Sequence, residues 1–388
     1  VSEKVPLPVF EEYKPIRQNP FYLPDRHTLN VLNNKPWIAS YSGGKDSTSL
    51  VTWIEWLRRT GLIKAPQPRL IQSDTEAEYP FLTEVVEMMI STLRSVGWDC
   101  TIVRPHQSKK LYNSIFGLGQ TPINPAFKGM RWCTRQTKIG PMDIYKKEMT
   151  DKGLVSLTGV RWGESRHRDV KLKARQDKDR ESQSSGCSAG GECGLPQLKK
   201  GSEEVFGPII TWHDVHVVKW LSGTDEAEKT NPMMEDLRTV SKRLLTVYHT
   251  KVGEEGLGIF PRKVHFMRFG CIGCPALMQD KVVKAMERED PSISALRAIY
   301  VLWGEARLKH NRMWCWNDKK QKIQYGPMRV AVRKDLFGRL LEIQERSGVT
   351  IVSEADKKFI HKCWRKNLHP GKDQDKWREG VIPKEYKK

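Results

Sequence analysis

The stretch that most limits what this chain can fold into is Ser40-Tyr41-Ser42-Gly43-Gly44-Lys45-Asp46-Ser47-Thr48. It follows the extended run Pro36-Trp37-Ile38-Ala39 and opens a helical pattern of Leu50, Val51, Trp53, Ile54 and Leu57, which stops at Gly61. Strand, glycine-rich turn and helix N-terminus in that order make a phosphate cradle. The glycines let backbone approach a ligand, unpaired N–H groups point outward, and the helix dipole favours an anion. Ser42, Ser47 and Thr48 add hydroxyls, and Lys45 adds a point charge. The GxxxxGK[ST] spacing of a Walker loop is absent, so the cradle is of another kind.

Downstream, short strand patterns alternate with helical ones. Arg69 to Asp74 reads as a buried strand, and Pro80 opens a helix with Leu82, Val85, Val86, Met89 and Leu93 on one face, closed by Gly97. Trp98–Val103 and Leu154–Val160 read as a third and fourth strand, with a helix over Ile139–Met149 between them. The alternation predicts an α/β fold, a parallel sheet with helices on both faces and ligands at the carboxyl ends of its strands. Pro208 to Trp212 reads as a further strand-like run, followed by a helix from Asp214 to Leu221. Beyond it the pattern is mainly α-helical: Asp290 before Pro291 starts one helix, Met328 to Arg346 makes another, and Ser353 with Asp356 caps a third. Three regions follow: a proline-rich extended arm over 1–35, a nucleotide domain over 36–230 and a helical region over 231–388. A basic, Cys-containing segment at about 165–201 reads as a long loop within the second region.

A net charge of +20 favours a polyanionic partner, most simply nucleic acid; a solvated basic surface is the plainer alternative. Most of the 13 Trp residues belong in a core. No apolar run approaches a membrane span, so no membrane partner and a cytoplasmic location are expected. The 8 cysteines of such a chain read as ligands, nucleophiles or buried thiols rather than disulfides.

Four further stretches suit a nucleotide enzyme. Ser73-Asp74-Thr75-Glu76-Ala77-Glu78-Tyr79-Pro80 follows the second strand, where Asp74 can face adenine and ribose, although the run also fits a plain polar loop. Arg131-Trp132-Cys133-Thr134 with Lys138 sets two cations around a thiol, suiting polyphosphate and lowering the thiol pKa; a buried structural Cys133 is the other reading. Gly159-Val160-Arg161 with Arg168 closes the fourth strand with phosphate-binding charge. Cys271-Ile272-Gly273-Cys274 has metal-ligand spacing, and Cys187 with Cys193 makes a looser pair.

The string SGGKDS resembles the PP-loop of ATP pyrophosphatases, which cleave ATP between the α and β phosphates. The order SGGKDST, SDTEAEYP, RWCT, GVR, then TW resembles the PAPS reductase-like branch of that family. Within it, Arg268-Phe269-Gly270-Cys271-Ile272-Gly273-Cys274 followed by Gln279-Asp280-Lys281 resembles the DndC/SspD type of DNA phosphorothioation protein. The resemblance implies a HUP-type α/β domain and an ATP site with Mg²⁺ held by Ser42, Gly43, Gly44, Lys45, Asp46, Ser47 and Thr48. It implies ATP cleavage to AMP and pyrophosphate, adenylylation of a DNA backbone phosphate for sulfur incorporation, and a cysteine desulfurase and other phosphorothioation-system proteins as partners. It also implies an iron–sulfur cluster.

The DndC pattern has another cysteine shortly upstream of the CxxC, where this chain has Arg262-Lys263-Val264-His265-Phe266-Met267. A four-thiolate cage must therefore recruit other cysteines, and Cys187 and Cys193 are the best candidates to join Cys271 and Cys274 around a 4Fe-4S cluster or, alternatively, Zn²⁺. Glu192-Cys193-Gly194-Leu195-Pro196 echoes the ECGLH end of sulfonucleotide reductases but sits mid-chain without the His. A sulfonucleotide reductase and a tRNA thiolase are the alternative functions.

Overall fold

The computed structural model describes residues 22–383, except 65–66, 127–130, 150–152, 164–168, 171, 174–197, 201–202, 224–234, 249–269, 278–280, 288–289, 372–375 and 381. Most of the arm, Arg168, Cys187, Cys193 and most of the basic loop lie outside the described residues. The chain forms two compact units, one of residues 1–72, 84–101 and 150–264, the other of 73–83, 102–149 and 265–388. No single cut in the sequence separates them.

In chain order the helices and strands begin with α1 Arg26–Asn34, β1 Trp37–Tyr41, α2 Lys45–Arg59, β2 Arg69–Ser73, α3 Pro80–Ser95 and β3 Asp99–Val103. There follow α4 Trp132–Thr134, α5 Gly140–Glu148, β4 Val155–Leu157, β5 Leu198–Lys200, β6 Glu203–Phe206, α6 Asp214–Ser222 and α7 Glu235–Tyr248. The last are α8 Lys281–Met286, α9 Ile299–Arg307, β7 Arg312–Asn317, β8 Lys322–Met328, α10 Val330–Ser347 and α11 Glu354–Arg365.

The main sheet has the order β3-β2-β1-β4-β6-β5, with five parallel strands and β5 antiparallel at the edge. β1 pairs with β2 through Ala39↔Leu70 and with β4 through Trp37↔Val155. The chain runs outward from β1 to β2 and β3, then returns to lay β4 on the other side of β1. That reversal places a topological switch point at the carboxyl ends of β1 and β4, where α/β sheets bind ligands. The strands at this point are nearly continuous apolar runs, as a sheet covered by helices requires: Ile38, Ala39, Leu70, Ile71, Val155 and Leu157 are all buried.

Aromatic residues lock the first unit together. Trp53 donates Nε1–H to the Tyr22 carbonyl (2.8 Å), Trp220 donates to Thr52 Oγ1 (2.8 Å), and Trp212 meets the Tyr22 ring edge-on at 5.0 Å. The expected extended arm is corrected over its last third, because Asp25 caps α1 by accepting from Thr28 N (2.6 Å). Pro24 marks entry into a helix there rather than continued extension. The strand expected at Pro208–Trp212 is also corrected: the strand is β6, and Pro208–Thr211 form a turn. The run is apolar because the turn is buried, with Ile209 0% exposed.

The second unit packs around Tyr112, Phe116, Trp303, Leu336, Phe337 and Ile360. Asp290 caps a 3-10 stretch, Pro291–Ala298, that runs into α9. Ser353 and Asp356 form a reciprocal capping box at the start of α11. The β7–β8 hairpin adds strand to a region expected to be mainly helical. Arg333 is fully buried and donates to the carbonyls of Met328 (2.9 Å), Gly117 (2.8 Å) and Leu368 (2.9 Å) and to His369 Nδ1 (2.6 Å). Among the described residues no helix is long and apolar enough to cross a membrane.

Candidate active site

The loop after β1 turns through Gly43, whose φ of 72° is left-handed and suits a residue without a Cβ. Gly44 is the N-cap of α2 and gives it no side-chain cap, so the positive end of the helix dipole faces the loop. Hydroxyls knit the loop: Ser42 N–H donates to Ser47 Oγ (3.2 Å), Ser47 Oγ–H donates to the Gly44 carbonyl (3.0 Å), and the Ser42 and Ser47 hydroxyls lie 3.1 Å apart. Thr48 is fully buried and donates to the Tyr41 hydroxyl (3.4 Å). These serines and the threonine therefore shape the cradle from within.

The end of β4 presses against it. A Cβ on Gly159 would sit 2.7 Å from the carbonyl carbon and oxygen of Asp46 and 2.9 Å from Ser47 N. Only glycine lets the loop after β4 lie so close to the first turn of α2.

Charge is concentrated at the same place. Lys45 Nζ bonds Asp46 Oδ1 (2.8 Å) and Asp214 Oδ1 (3.1 Å). Arg161 donates Nε–H to Asp46 Oδ1 (2.7 Å), Nη2–H to Asp214 Oδ1 (2.6 Å) and Nη1–H to the Trp212 carbonyl (2.9 Å). Arg161 is 1% exposed and Lys45 7%. Burial opposes the Arg161 charge, but Asp46 and Asp214 outweigh it and raise its pKa. Burial likewise opposes the Asp214 carboxylate, and Lys45 with Arg161 outweigh that and hold its pKa below the ordinary value. Asp214 escaped the sequence reading because it lies 169 residues from Lys45. Its one local signal is its place at the start of α6, where a carboxylate is expected for helical reasons alone.

The loop also has an unmet acceptor near it. Gln72 pairs with Tyr41 across β1–β2 and is 6% exposed, and its Oε1 has no hydrogen-bond partner among the described residues. The glycine turn, the start of α2 and Lys45 suit a phosphate-bearing ligand.

The remaining expected site residues among those described belong to the second unit. Asp74 accepts from Glu76 N (2.8 Å) and from Arg104 Nε (2.8 Å). Arg131 is exposed at the start of α4. Cys133 is half-buried against the apolar core of its unit. The expected lowering of its pKa is corrected: burial outweighs Arg131 and the hydrogen bonds from Thr134, and the thiol is pushed up. Lys138 does not serve Cys133. Its Nζ lies 3.6 Å from Glu78 Oε1, and although burial opposes its charge, Cys271, Glu78 and Cys274 raise its pKa.

Cys271 and Cys274 sit on one turn, Cys274 N–H donating to the Cys271 carbonyl (3.0 Å), and Thr75 Oγ1 lies 3.8 Å from Cys271 Sγ. Burial pushes the Cys271 thiol up to about 12. Among the described residues no three His, Cys, Asp or Glu side chains group as a metal site. The two thiols with a cation beside them fit half of a thiolate cage, whose negative charge Lys138 would balance.

A phosphoadenosine phosphosulfate reductase domain model matches residues 36–277, more than half of the chain. The chain belongs to that family. The match takes in the cradle, Gly159, Arg161, Asp214 and the CxxC turn. Among solved structures, the phosphoadenylyl-sulfate (PAPS) reductase from Candida auris, in a phosphate complex, is similar at 13% identity and a TM-score of 0.33, over 54% of this chain and 82% of that one. The U34-tRNA thiolase NcsA from Methanococcus maripaludis, with its [4Fe-4S] cluster, is similar at 14% identity and a TM-score of 0.29, over 75% of this chain and 79% of that one. No curated protein matches the chain.

Proposed function

We propose that this member of the family is an ATP pyrophosphatase that adenylylates a DNA backbone phosphate so that sulfur can replace one of its oxygens. The observation that carries the reading is the cradle at the switch point, with buried Lys45 fixed at the first turn of α2 by Asp46 and Asp214. The first-turn N–H groups and Lys45 bind the β and γ phosphates, which arrive with Mg²⁺. Arg161 commits three donors to Asp46, Asp214 and Trp212, so it positions Asp46 and the loop rather than reaching for phosphate. A DNA phosphate oxygen attacks the α-phosphorus, a P–O bond forms, the α–β bridge breaks and pyrophosphate leaves. The terminal sulfur of a persulfide, loaded by a cysteine desulfurase, then attacks the DNA phosphorus; the P–O bond to AMP breaks and AMP leaves, and a second thiol cleaves the S–S bond, leaving the phosphorothioate and a disulfide. The chain's contribution is placement and charge neutralisation, which together supply large rate factors.

Cys271 and Cys274, joined by Cys187 and Cys193, would hold a 4Fe-4S cluster, with Zn²⁺ as the alternative; such a cluster supplies soft metal sites with affinity for sulfur. Cys133, Lys138 and Arg131 are assigned to the second unit's sulfur-handling side, with Cys133 as a candidate sulfur carrier. A cytoplasmic setting suits these thiols.

The family match favours one second reading, a sulfonucleotide reductase, which releases sulfite in a thiol-dependent reaction and consumes no ATP. One experiment separates the two. ATP is supplied with DNA, RNA or a sulfonucleotide, and pyrophosphate, AMP and sulfite are followed. DNA-dependent pyrophosphate release that falls ~100-fold or more in Lys45→Ala, with the fold intact by circular dichroism, supports the proposal. RNA-only stimulation points to a tRNA thiolase, and sulfite release without ATP to a reductase. Unchanged release by Lys45→Ala refutes the site.

A further inference from the structure

The second unit carries a groove that the nucleotide site does not use. It encloses about 540 Å³ and is lined by Lys309, His310, Arg312, Trp314, Tyr325 and Arg329, with Gly380 and Ile382 at its edge. No carboxylate is among these residues. The β7–β8 hairpin forms one wall, extended by the segment around Arg378, whose N–H donates to the Trp314 carbonyl (2.8 Å) while Trp314 N–H donates to the Arg378 carbonyl (2.9 Å).

The cations are held in place rather than left to wander. Arg312 donates Nε–H to the Gly326 carbonyl (2.8 Å) and Nη2–H to the Tyr325 carbonyl. Lys309 Nζ stands 5.5 Å from the Tyr325 ring centroid, a cation–π pair on an otherwise exposed lysine. Arg329 directly precedes α10, an 18-residue helix whose N-terminus has no side-chain cap. Arg329 Nε is buried and has no hydrogen-bond partner among the described residues. An uncapped helix start beside it adds further donors and a favourable dipole for an anion.

We propose that this groove is a docking track for the phosphodiester backbone of DNA. The inference rests on the reading of DNA as the acceptor. Positive charge comes from separate elements: Lys309 after α9, Arg312 on β7 and Arg329 before α10. That spread suits successive phosphates along a strand better than one small anion, and it agrees with the sign of the chain's +20 charge. Contacts of this kind position DNA without reading its sequence. Target choice, on this account, is made elsewhere.

The test is fluorescence anisotropy of the full chain with labelled duplex DNA, and with RNA of the same sequence, across a salt series. Each lost phosphate contact lowers the slope of log affinity against log salt by ~0.9, which at 0.1 M salt amounts to ~8-fold in affinity. Lys309→Ala, a change at an exposed residue, is expected to show that loss. The double variant Lys309→Ala with Arg329→Gln is expected to lose ~60-fold and ~1.8 in slope. Lys147→Ala, which removes an exposed charge on α5, is expected to alter neither. Wild-type affinity and slope in both groove variants overturn the proposal, as does a wild type that binds no DNA or binds RNA alone through the groove. Pyrophosphate release is measured in the same samples. Release that DNA does not accelerate overturns the acceptor reading, while groove-dependent DNA binding would still stand.

Discussion

The contact between Gly159 and the first turn of α2 offers the sharpest test of how the cradle is built. In Gly159→Ala the new methyl would start 2.7 Å from the Asp46 carbonyl carbon and oxygen and 2.9 Å from Ser47 N, where ordinary contact begins at 3.4 Å. All three atoms are backbone, so no side chain can swing away. The loop after β4 and the start of α2 must therefore separate by about 0.7 Å, the difference between 3.4 and 2.7 Å. Overpacking of this kind costs ~1–3 kcal/mol of stability. A displacement approaching 1 Å in a positioned site costs up to ~100-fold in rate. The variant is therefore expected to remain folded, with a melting temperature lowered by several degrees, and to lose ~10–100-fold in single-turnover pyrophosphate release. Calorimetric titration with a non-hydrolysable ATP analogue would show weakened binding alongside. Turnover, affinity and melting temperature all within twofold or one degree of wild type would refute the argument that this glycine sets the cradle.

Three other outcomes follow from the same geometry. Asp214→Asn removes a charge that holds both Lys45 and Arg161 while keeping the side chain's shape; nucleotide affinity is expected to rise ~5-fold and turnover to fall ~10-fold, a split read from steady-state kinetics. Burial, aided by Arg333, lowers the His369 pKa to about 4 from 6.5, so its contribution is full above 6.5 and is lost as pH falls toward 4. Urea unfolding at pH 5 against pH 7 is expected to show at most ~2 kcal/mol of this loss, and His369→Gln, which keeps an acceptor for Arg333, to abolish it. Cys271→Ser and Cys187→Ser are each expected to abolish bound iron or zinc in anaerobically purified protein, counted by elemental analysis; full metal content in Cys187→Ser would exclude Cys187 from the cage.

The cradle and the strand–helix alternation of a parallel sheet were legible because each is written locally. Gly43, Gly44 and Lys45 follow a strand within a few residues, and the apolar runs at Trp37–Tyr41 and Arg69–Ser73 have the length of buried strands. What escaped the sequence depends on distant partners. Nothing near Asp214 announces that it will meet Lys45, and the charge of Lys138 settles beside Glu78 and Cys271 rather than near Cys133, five residues away in sequence. The β7–β8 hairpin did leave a signal, since Arg312-Met313-Trp314-Cys315-Trp316 is rich in strand-formers and ends at Asn317-Asp318. The long helices around it drew the reading toward a mainly helical region. Buried Ile209 and Ile210 imitated a strand because hydrophobicity reports burial, and a buried turn satisfies it as well as a sheet does.

The ion set under the cradle has one more consequence. Lys45 and Arg161 face Asp46 and Asp214, so these four residues sum to no net charge before any nucleotide arrives. On the proposed function, nucleotide binding there is an exchange of partners, in which phosphate competes with a carboxylate already in place, rather than capture by an open positive field. On the same reading, the charge of the incoming phosphates is met by the Mg²⁺ that arrives with ATP. With DNA as the proposed acceptor, long-range attraction of the polyanion falls to the rest of the +20 charge, and the two tasks separate by range: distant charge gathers the polymer, and a neutral, ion-paired nest handles the bond that breaks.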